Sequence, residues 1–302
     1  MALKAFAPGI YPRSEALVQA TRDLDRGRTG EQAVEEQVKR DQAELVRVQQ
    51  RAGLDMLSDG LLRWQDLFRP LAEAADGLVA RPLTRFLDTN TFYRAVLVEG
   101  EPRLRTPLPA PSLPAGPWLA TLPSPFACSR AANGAAGAQA LAANVLAPQI
   151  EAWAQAGCTF VVLAEPFLAR EPAGIDELRD ALAELPRPVP LALQLVFGDG
   201  GSVLEACADL PVDAIGLDFY LTSLDAVPED FPKELLAGVI DARTSAVEDP
   251  KEIDGFVERL LERRPAGLSL VPNGDLQFVP ERIAREKLAA LGRARVGLER
   301  VA

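Results

Sequence analysis

The chain has 302 residues, of which 48% are hydrophobic, and its formal net charge is −11. A chain of this size can bury a large core, and α/β barrels often reach this length as one domain. The negative charge argues against nucleic acid and anionic membrane surfaces as partners, because both require a basic footprint. Three scattered cysteines, with no N-terminal apolar run and no run of membrane length, predict a cytoplasmic protein in a reducing compartment.

The sequence contains no histidine. Histidine is the commonest metal ligand and the usual proton shuttle near neutral pH, so serine triads and histidine-ligated zinc or haem are excluded. Any proton transfer must therefore use Asp, Glu, Tyr, Lys or Cys side chains, or groups of the substrate.

Short apolar runs alternate with helical segments along the chain, which is typical of βα units around a parallel sheet. The predicted strands, in chain order, cover residues 4–7, 56–58, 118–122, 159–163, 191–197, 214–219, 238–241 and 267–271. Thr29 and Gln32 predict a capping box for a helix ending near Ala52, and Asp249 with Pro250 predicts the start of a later helix. No glycine fingerprint of a doubly wound sheet follows the first strand. The sequence thus predicts one α/β domain over residues 1–302, a (β/α)₈ barrel of the TIM type.

Residues 83–117 interrupt this alternation. They contain a strand-like segment at 95–98, followed by a proline-rich segment at 102–117. We predict an inserted hairpin or lid over one end of the barrel. A linker between two domains is the alternative, and it is disfavoured because neither half would close a barrel alone.

Polar side chains directly follow most of the predicted strands, where barrel enzymes carry their active sites. As catalytic acids or bases we predict Glu165, Asp218 and Asp241. The predicted substrate-binding residues are Arg13, Asp59, Arg63, Asp88, Asn90, Tyr220, Arg243, Asn273 and Asp275. The alternative for each residue is that it caps a helix or pairs with a neighbour. An oxygen-ligand site for Mg²⁺ or Mn²⁺ is chemically possible, but solvated carboxylates are the simpler interpretation and no metal is predicted.

A series of motifs in a fixed order carries a family resemblance: YPRS, AGLDMLSDG, RFLDTNTFYR, LPSPF, AEPFL, GLDFY, GVIDARTSAVEDPKEI and VPNGDLQFVPERIAREKLAAL. With these motifs the chain resembles the single-barrel relatives of the catalytic, C-terminal half of cobalamin-independent methionine synthase. The resemblance covers nearly the whole chain and implies a barrel related to uroporphyrinogen decarboxylase.

The resemblance also implies what has become of the family's zinc site, in which zinc presents the homocysteine thiolate to the methyl donor. The positions of the family's zinc ligands correspond here to Gln194, Val196, Asp218 and Gly274. Only Asp218 could bind a metal, so zinc is not expected. The family's amino-acid contacts correspond to Ile10, Leu61 and Ala164, and its proton-donating histidine corresponds to Arg243, which cannot release a proton at ordinary pH.

Two functions of different class remain. The first is a methyl or one-carbon transferase that acts on a small anionic substrate without zinc, with Arg13, Arg63 and Arg243 on the anion and methylfolate or methylcobalamin as the methyl donor. The second is a non-catalytic barrel that partners a zinc-bearing methionine synthase-like subunit. A decarboxylase is a weaker third hypothesis, because the N-terminal arginine motif of those enzymes is not found.

Overall fold

The structure is a computed structural model that describes residues 3–87 and 92–299, without the side chains of 298 and 299. Two predicted substrate-binding residues, Asp88 and Asn90, lie outside the described residues. Among the residues described, no helix is both long and apolar enough to cross a membrane.

The strands of the described chain are β1 (Lys4–Ala5), β2 (Ala75–Arg85), β3 (Phe92–Leu104), β4 (Leu119–Pro123), β5 (Phe160–Glu165), β6 (Leu191–Leu195), β7 (Ala214–Asp218), β8 (Glu234–Ile240) and β9 (Gly267–Pro272). Seven of them form one parallel sheet in the order β1-β9-β8-β7-β6-β5-β4, and β2 pairs only with β3. The strand β8 begins at Glu234, ahead of the predicted residue 238, because the run Glu234–Ile240 pairs with both of its neighbours.

The curled sheet is joined edge to edge by residues 55–58. The Asp55 amide donates to the Ala5 carbonyl at 2.9 Å, and the Leu119 amide donates to the Leu57 carbonyl at 2.9 Å. The predicted second strand is therefore reduced to an isolated parallel bridge between Leu57 and Trp118. With that bridge, the predicted α/β barrel is confirmed.

The helices are α1 (Glu15–Asp25), α2 (Glu31–Ala52), α3 (Arg69–Ala74), α4 (Pro125–Ala131), α5 (Ala138–Leu141), α6 (Ala147–Gln155), α7 (Ile175–Ala183), α8 (Leu204–Cys207), α9 (Pro250–Leu261) and α10 (Glu281–Glu299). The cap predicted for α9 is confirmed, since the Asp249 carboxylate accepts from the Lys251 amide. The capping box predicted for α2 is wrong. That helix begins one residue later, so its N-cap is Gly30, which has no side chain to accept a hydrogen bond.

Apolar side chains fill the barrel interior beneath the carboxyl ends of its strands. Phe6 and Phe160 meet edge to face there, with ring centroids 5.5 Å apart. The other members of this cluster are Met56, Leu119, Val162, Ala192, Ala214, Leu236 and Val271. The barrel is therefore a packed core at this level, and only its carboxyl end could hold a ligand inside the sheet.

The predicted hairpin is confirmed, but it begins at Ala75, whereas the prediction placed its start near residue 83. Bulges near Gly77 and Pro82 break the alternation of apolar and polar residues by which β2 could have been recognised in the sequence. Gly77 adopts a left-handed φ of +75°, and a Cβ there would overlap the Glu101 carbonyl. The hairpin packs on the barrel through Tyr93, whose ring centroid lies 5.4 Å from that of Phe68.

The outer layer of helices has a gap after the second barrel strand. Residues 59–74 form turns and the short helix α3, and residues 105–117 run from the hairpin to β4 without helix or strand. We call residues 108–114 of this connection the strap. Its Ser112 carbonyl accepts a hydrogen bond from Gln42 of α2 at 2.7 Å. The strap therefore spans the place where another helix of the ring would lie, without filling it.

Candidate functional site

The carboxyl ends of the strands surround a cavity of about 10 Å³, which has room for one water molecule. The Phe197 ring covers it, with its centroid 5.6 Å from that of Phe86 and 5.3 Å from that of Phe278. Within the part of the chain that the structure describes, side chains therefore close the barrel mouth.

Gln194 crosses the barrel interior directly beneath this cavity. Its Nε2 donates to the Pro272 carbonyl on β9 at 2.8 Å, and the side chain is buried. Gly216 leaves room for the Gln194 side chain, because a Cβ at residue 216 would lie 2.6 Å from the Gln194 Cγ. The amide therefore ties β6 to β9 and fills the space below the mouth.

Three of the four positions that correspond to family zinc ligands meet at this cavity, which is lined by Gln194, Val196 and Gly274, whereas Asp218 does not line it. Their side chains do not fit zinc. The Gln194 amide is already engaged, and neither an isopropyl group nor a glycine supplies a donor atom. Among the described residues, no group of three or more His, Cys, Asp or Glu side chains is arranged to hold a metal ion.

Beside the mouth, Asp218, Asp241, Asn273 and Arg243 form one cluster at the ends of β7, β8 and β9. The Asn273 Nδ2 donates to Asp218 Oδ1 at 2.9 Å and to Asp241 Oδ1 at 3.0 Å. The Arg243 Nη1 lies 3.1 Å from Asp218 Oδ2, and its Nε lies 3.0 Å from Asp241 Oδ1. The structure thus brings four predicted site residues together, with the guanidinium largely neutralised by two carboxylates.

The two carboxylates of this cluster have different acidities. Burial raises the pKa of Asp218, and the hydrogen bond from Asn273 and the charge of Arg243 only partly oppose it. Burial also acts on Asp241, but there the hydrogen bonds from Asn273 and Arg243 outweigh it and lower the pKa. A pair whose pKa values are pushed apart can divide the roles of acid and base, with Asp218 the more easily protonated.

A buried ion pair anchors the loop that follows β8. Lys287 of α10 is fully buried, and its Nζ lies 2.8 Å from Glu248 Oε1. The same oxygen accepts from the Asp241 amide at 2.8 Å and lies 3.3 Å from the Tyr220 hydroxyl. Tyr220, a predicted substrate contact, is therefore bound to this anchor. Sequence reasoning missed Glu248 and Lys287, because nothing in a helical sequence marks one lysine as buried.

Glu165, predicted as catalytic, lies apart from that cluster. It is fully buried, and its Oε1 accepts from the amides of Phe167 at 2.6 Å and Leu168 at 2.9 Å. Its Oε2 accepts from the Ser124 hydroxyl. Burial raises the pKa of Glu165 despite these hydrogen bonds. Its contacts are those of the capping alternative.

Asp275 lies at the mouth cavity, where it holds the first barrel loop. Its Oδ1 accepts from the Ile10 amide at 2.9 Å, and burial raises the pKa of its carboxyl to about 6. Gly9 allows this close approach, because a Cβ there would overlap the Asp275 carboxylate. Arg13 is half-buried and, among the described residues, has no carboxylate within ion-pair distance; burial lowers its pKa.

A second and much larger cavity, of about 1010 Å³, lies under the strap between α2 and α6. The sequence has three tryptophans, and Trp64, Trp118 and Trp153 all line this space. We call it the strap cavity. It lies outside the barrel wall, since residues of α2, of α6 and of the strap line it together with Trp118, Leu119 and Ala120 of the wall itself.

The predicted residues Asp59 and Arg63 belong to the strap cavity. The Asp59 Oδ1 accepts from the Leu61 amide at 3.0 Å, and burial raises the pKa of the carboxyl. Arg63 is paired with Glu35 of α2, with Nη2 2.7 Å from Oε1. The residues predicted to form one pocket thus lie in two regions, and their roles as substrate contacts stay predictions.

Comparisons with known proteins give one family of similar sequences. Residues 132–265 match the family model described as "Cobalamin-independent synthase, N-terminal domain". A 5-methyltetrahydropteroyltriglutamate–homocysteine methyltransferase of Mycobacterium bovis is 30% identical over 214 residues, which are 62% of this chain and 27% of that protein. The enzyme of the same name from Streptomyces griseus is 24% identical over 85% of this chain and 37% of that protein. The matched part of the chain thus spans well under half the length of these curated relatives.

Among solved structures, a B12-independent methionine synthase from Shewanella sp. W3-18-1, in complex with selenomethionine, superposes with a TM-score of 0.74. The match has 16% sequence identity and covers 100% of this chain and 98% of that one. Because the matching family model is that of the N-terminal domain, the more specific resemblance to the catalytic C-terminal half stays a prediction. At distant identity, the chain is therefore similar in sequence to cobalamin-independent methionine synthases, and it shares the barrel fold of the solved structure.

Proposed function

We propose that the chain acts in methyl transfer as a non-catalytic barrel that pairs with a zinc-bearing methionine synthase-like subunit. The observation that carries this proposal is the closed mouth. Phe86, Phe197 and Phe278 leave a space of about 10 Å³ where a related enzyme would need to admit a substrate. In addition, Gln194, Val196 and Gly274 offer no ligand for zinc, and the one remaining carboxylate, Asp218, is bound by Asn273 and Arg243.

The comparisons support this proposal in two ways. The matching family model describes an N-terminal domain, and the curated relatives are much longer than this chain. The matched part of this chain corresponds to 27% or 37% of those enzymes. A partner subunit would supply the thiolate chemistry that this mouth lacks.

The second candidate is a methyl or one-carbon transferase that acts on a small anionic substrate, with methylfolate or methylcobalamin as donor. The opposed pKa shifts of Asp218 and Asp241 beside Arg243 favour it. In that role Asp218 would donate a proton, Asp241 would accept one, and Arg243 would bind the anion through the part of its side chain that is exposed. The mouth would first have to open by displacement of Phe197.

The test is a methionine-formation assay with homocysteine and either methylfolate or methylcobalamin. The chain is assayed alone, with added zinc, and with a zinc-bearing methionine synthase-like barrel from the same organism. We expect no methionine from the chain alone, co-elution of the two barrels, and a higher kcat/KM for the pair than for the zinc-bearing barrel. Turnover by the chain alone that is lost in Asp218→Asn would favour the second candidate, and no complex with no turnover would contradict both.

The hairpin offers a variant for the pairing experiment. Its Leu83 and Phe92 side chains are 62% and 52% exposed, the highest values among the large apolar residues described as exposed. Exposed apolar patches commonly mark interfaces. We expect Phe92→Asp to weaken co-elution, whereas Leu261→Asp, at a 40% exposed apolar residue of α9, leaves it unchanged.

A further inference from the structure

We propose that the strap cavity is a binding site for a small aromatic anion, a flat aromatic body that carries a carboxylate or sulfonate group. This inference does not rest on the proposed function. It concerns a space outside the barrel wall, and it would hold equally for a catalytic or a non-catalytic chain.

The strap is fixed at both ends, so the space beneath it is held open. At one end Gln42 of α2 donates to the Ser112 carbonyl at 2.7 Å. At the other end the Leu108 amide donates to Gln149 Oε1 at 2.6 Å, and the Leu108 carbonyl accepts from Trp153 Nε1 at 3.1 Å. Because both ends are bound to helices, the strap cannot settle into the gap left by the missing helix without breaking these hydrogen bonds.

The walls of the cavity suit an aromatic ring. The barrel side presents Trp64 and Trp118, α6 presents Trp153, and the strap contributes Pro109, Pro111 and Pro114. Its volume of about 1010 Å³ lies at the upper end of the ~300–1,000 Å³ typical of small-molecule sites. The three tryptophans are 4–7% exposed, so each offers a small part of its ring for an aromatic contact with a flat ligand, and the proline rings add a rigid apolar wall. The barrel mouth, with room for one water, cannot accept such a ligand.

The charges on α2 favour an anionic group at the entrance. Lys39 lines the cavity with a side chain that is 70% exposed, and its nearest carboxylate, Glu35, lies 3.9 Å away. Arg63 already occupies Glu35 through both guanidinium nitrogens. Lys39 therefore retains an ammonium group that an acidic substituent could approach from solvent.

The other acidic residues of the lining do not cancel this preference. Glu73 of the lining is paired with Arg69 at 2.6 Å. Arg47, a second cation of the lining, is paired with Glu44 at 3.0 Å. Asp59 lies deeper, where burial raises its pKa and thereby weakens its opposition to an anion. An apolar ring in the interior with its acidic group near Lys39 is the arrangement that satisfies these constraints.

The test uses 8-anilinonaphthalene-1-sulfonate as the probe, on the whole chain. Since every tryptophan of the sequence lines the cavity, bound probe lies close to all the indoles and should quench their emission by energy transfer. We expect saturable binding of one probe per chain with strong indole quenching. Amide exchange in the barrel strands should stay as slow as without the probe, which separates this binding from binding to a partly unfolded state.

Lys39→Glu is the informative variant, and Arg40→Glu is its matched control. The two residues are adjacent on α2, with side chains 70% and 69% exposed, but Arg40 does not line the cavity. We expect Lys39→Glu to weaken binding roughly fivefold, as for the loss of ~1 kcal/mol of surface charge interaction, and Arg40→Glu to weaken it less than twofold. The uncharged probe N-phenyl-1-naphthylamine should bind more weakly and should not respond to Lys39→Glu.

Three outcomes would overturn the proposal. These are binding without indole quenching, an equal loss of affinity in Lys39→Glu and Arg40→Glu, and equal binding of the charged and uncharged probes. Each result places the probe outside the cavity or removes the role of the anion. None of them bears on methionine formation, so failure here and failure of the proposed function are distinguishable.

Discussion

The barrel mouth and the strap cavity both contain aromatic and charged side chains, but the mouth is closed by them and the strap cavity is not. At the mouth, Phe197 meets two other rings edge to face, and Asn273 donates hydrogen bonds to both Asp218 and Asp241. Under the strap, three indoles line a space of about 1010 Å³. Lys39 lies at its edge, with its ammonium group 3.9 Å from the carboxylate of Glu35.

Convergent polar residues at strand ends therefore do not by themselves make a pocket. Asn273 has the donors to bridge two carboxylates, so the cluster closes on itself without a ligand. The strap cavity exists for a different reason, because a proline-rich segment cannot donate the hydrogen bonds of a helix and so cannot fill the ring of helices. Since different side chains maintain the two regions, each region can be perturbed without the other.

The largest effect is expected at the mouth, in Asn273→Leu. Leucine has nearly the same volume but donates no hydrogen bond, so Asp218 and Asp241 would share only the partly exposed Arg243, and the Ala242 amide would lose its acceptor. We expect a loss of about 3 kcal/mol in the free energy of unfolding, measured by urea denaturation. Gln139→Leu, which replaces an exposed side-chain amide on α5, is the control. A loss below about 1 kcal/mol would show that the cluster is not tightly coupled.

A smaller effect is expected for the pH dependence of stability, through Asp275. Its folded-state pKa of about 6 lies above the value of an unfolded chain, so its contribution to stability is fully present below pH ~4 and is lost as pH rises through 6. Asp275→Asn should remove about 2 kcal/mol of the fall in unfolding free energy between pH ~4 and ~7. Asp225→Asn, at an 89% exposed carboxylate, should leave the slope unchanged. A slope unaltered by Asp275→Asn would contradict the assignment.

At the strap cavity, Gln42→Leu should have a more local effect. It removes the hydrogen bond to the Ser112 carbonyl, which is exposed, so we expect a loss of only about 0.5 to 1 kcal/mol. Amide exchange of the strap should be faster than in the native protein. Gln32→Leu removes an exposed side-chain bond to Glu36 on the same helix, and it should leave exchange in the strap unaffected. Equal exchange rates in the two variants would show that Gln42 does not hold the strap.

The smallest effect is expected for Arg63→Gln. The ion pair with Glu35 joins side chains that are 45% and 38% exposed, so solvent screens most of its attraction. A double-mutant cycle with Glu35→Gln should give a coupling energy of about 0.5 kcal/mol or less. A coupling above about 2 kcal/mol would mean that the cavity edge is far less hydrated than the structure indicates.

The barrel could be predicted from the sequence because its strands are buried apolar runs separated by helices. The hairpin could be located only in part, since Gly77 and Pro82 interrupt the alternation of β2. The second strand was overestimated, because Leu57 makes a single bridge that looks like any short apolar run. Local sequence patterns predict the helices and strands, whereas bulges and isolated bridges depend on how a strand pairs with its partner.

The candidate site was less predictable than the fold. The strand-end rule correctly grouped Asp218, Asp241, Arg243 and Asn273, but it also placed Asp59 with them, although Asp59 lies at the strap cavity. Whether a polar side chain meets a ligand or a neighbour depends on distances that no sequence pattern contains. The meeting of three tryptophans from distant parts of the chain is likewise a product of the tertiary fold.

The most direct test of the contrast between the two regions is a crystal structure of the whole chain grown with 8-anilinonaphthalene-1-sulfonate. We predict density for the probe between the strap and Trp118, with the sulfonate toward Lys39, and Phe197 still packed between Phe86 and Phe278. Probe density inside the barrel mouth, with Phe197 displaced, would contradict this contrast and would return the search for a ligand to the strand ends.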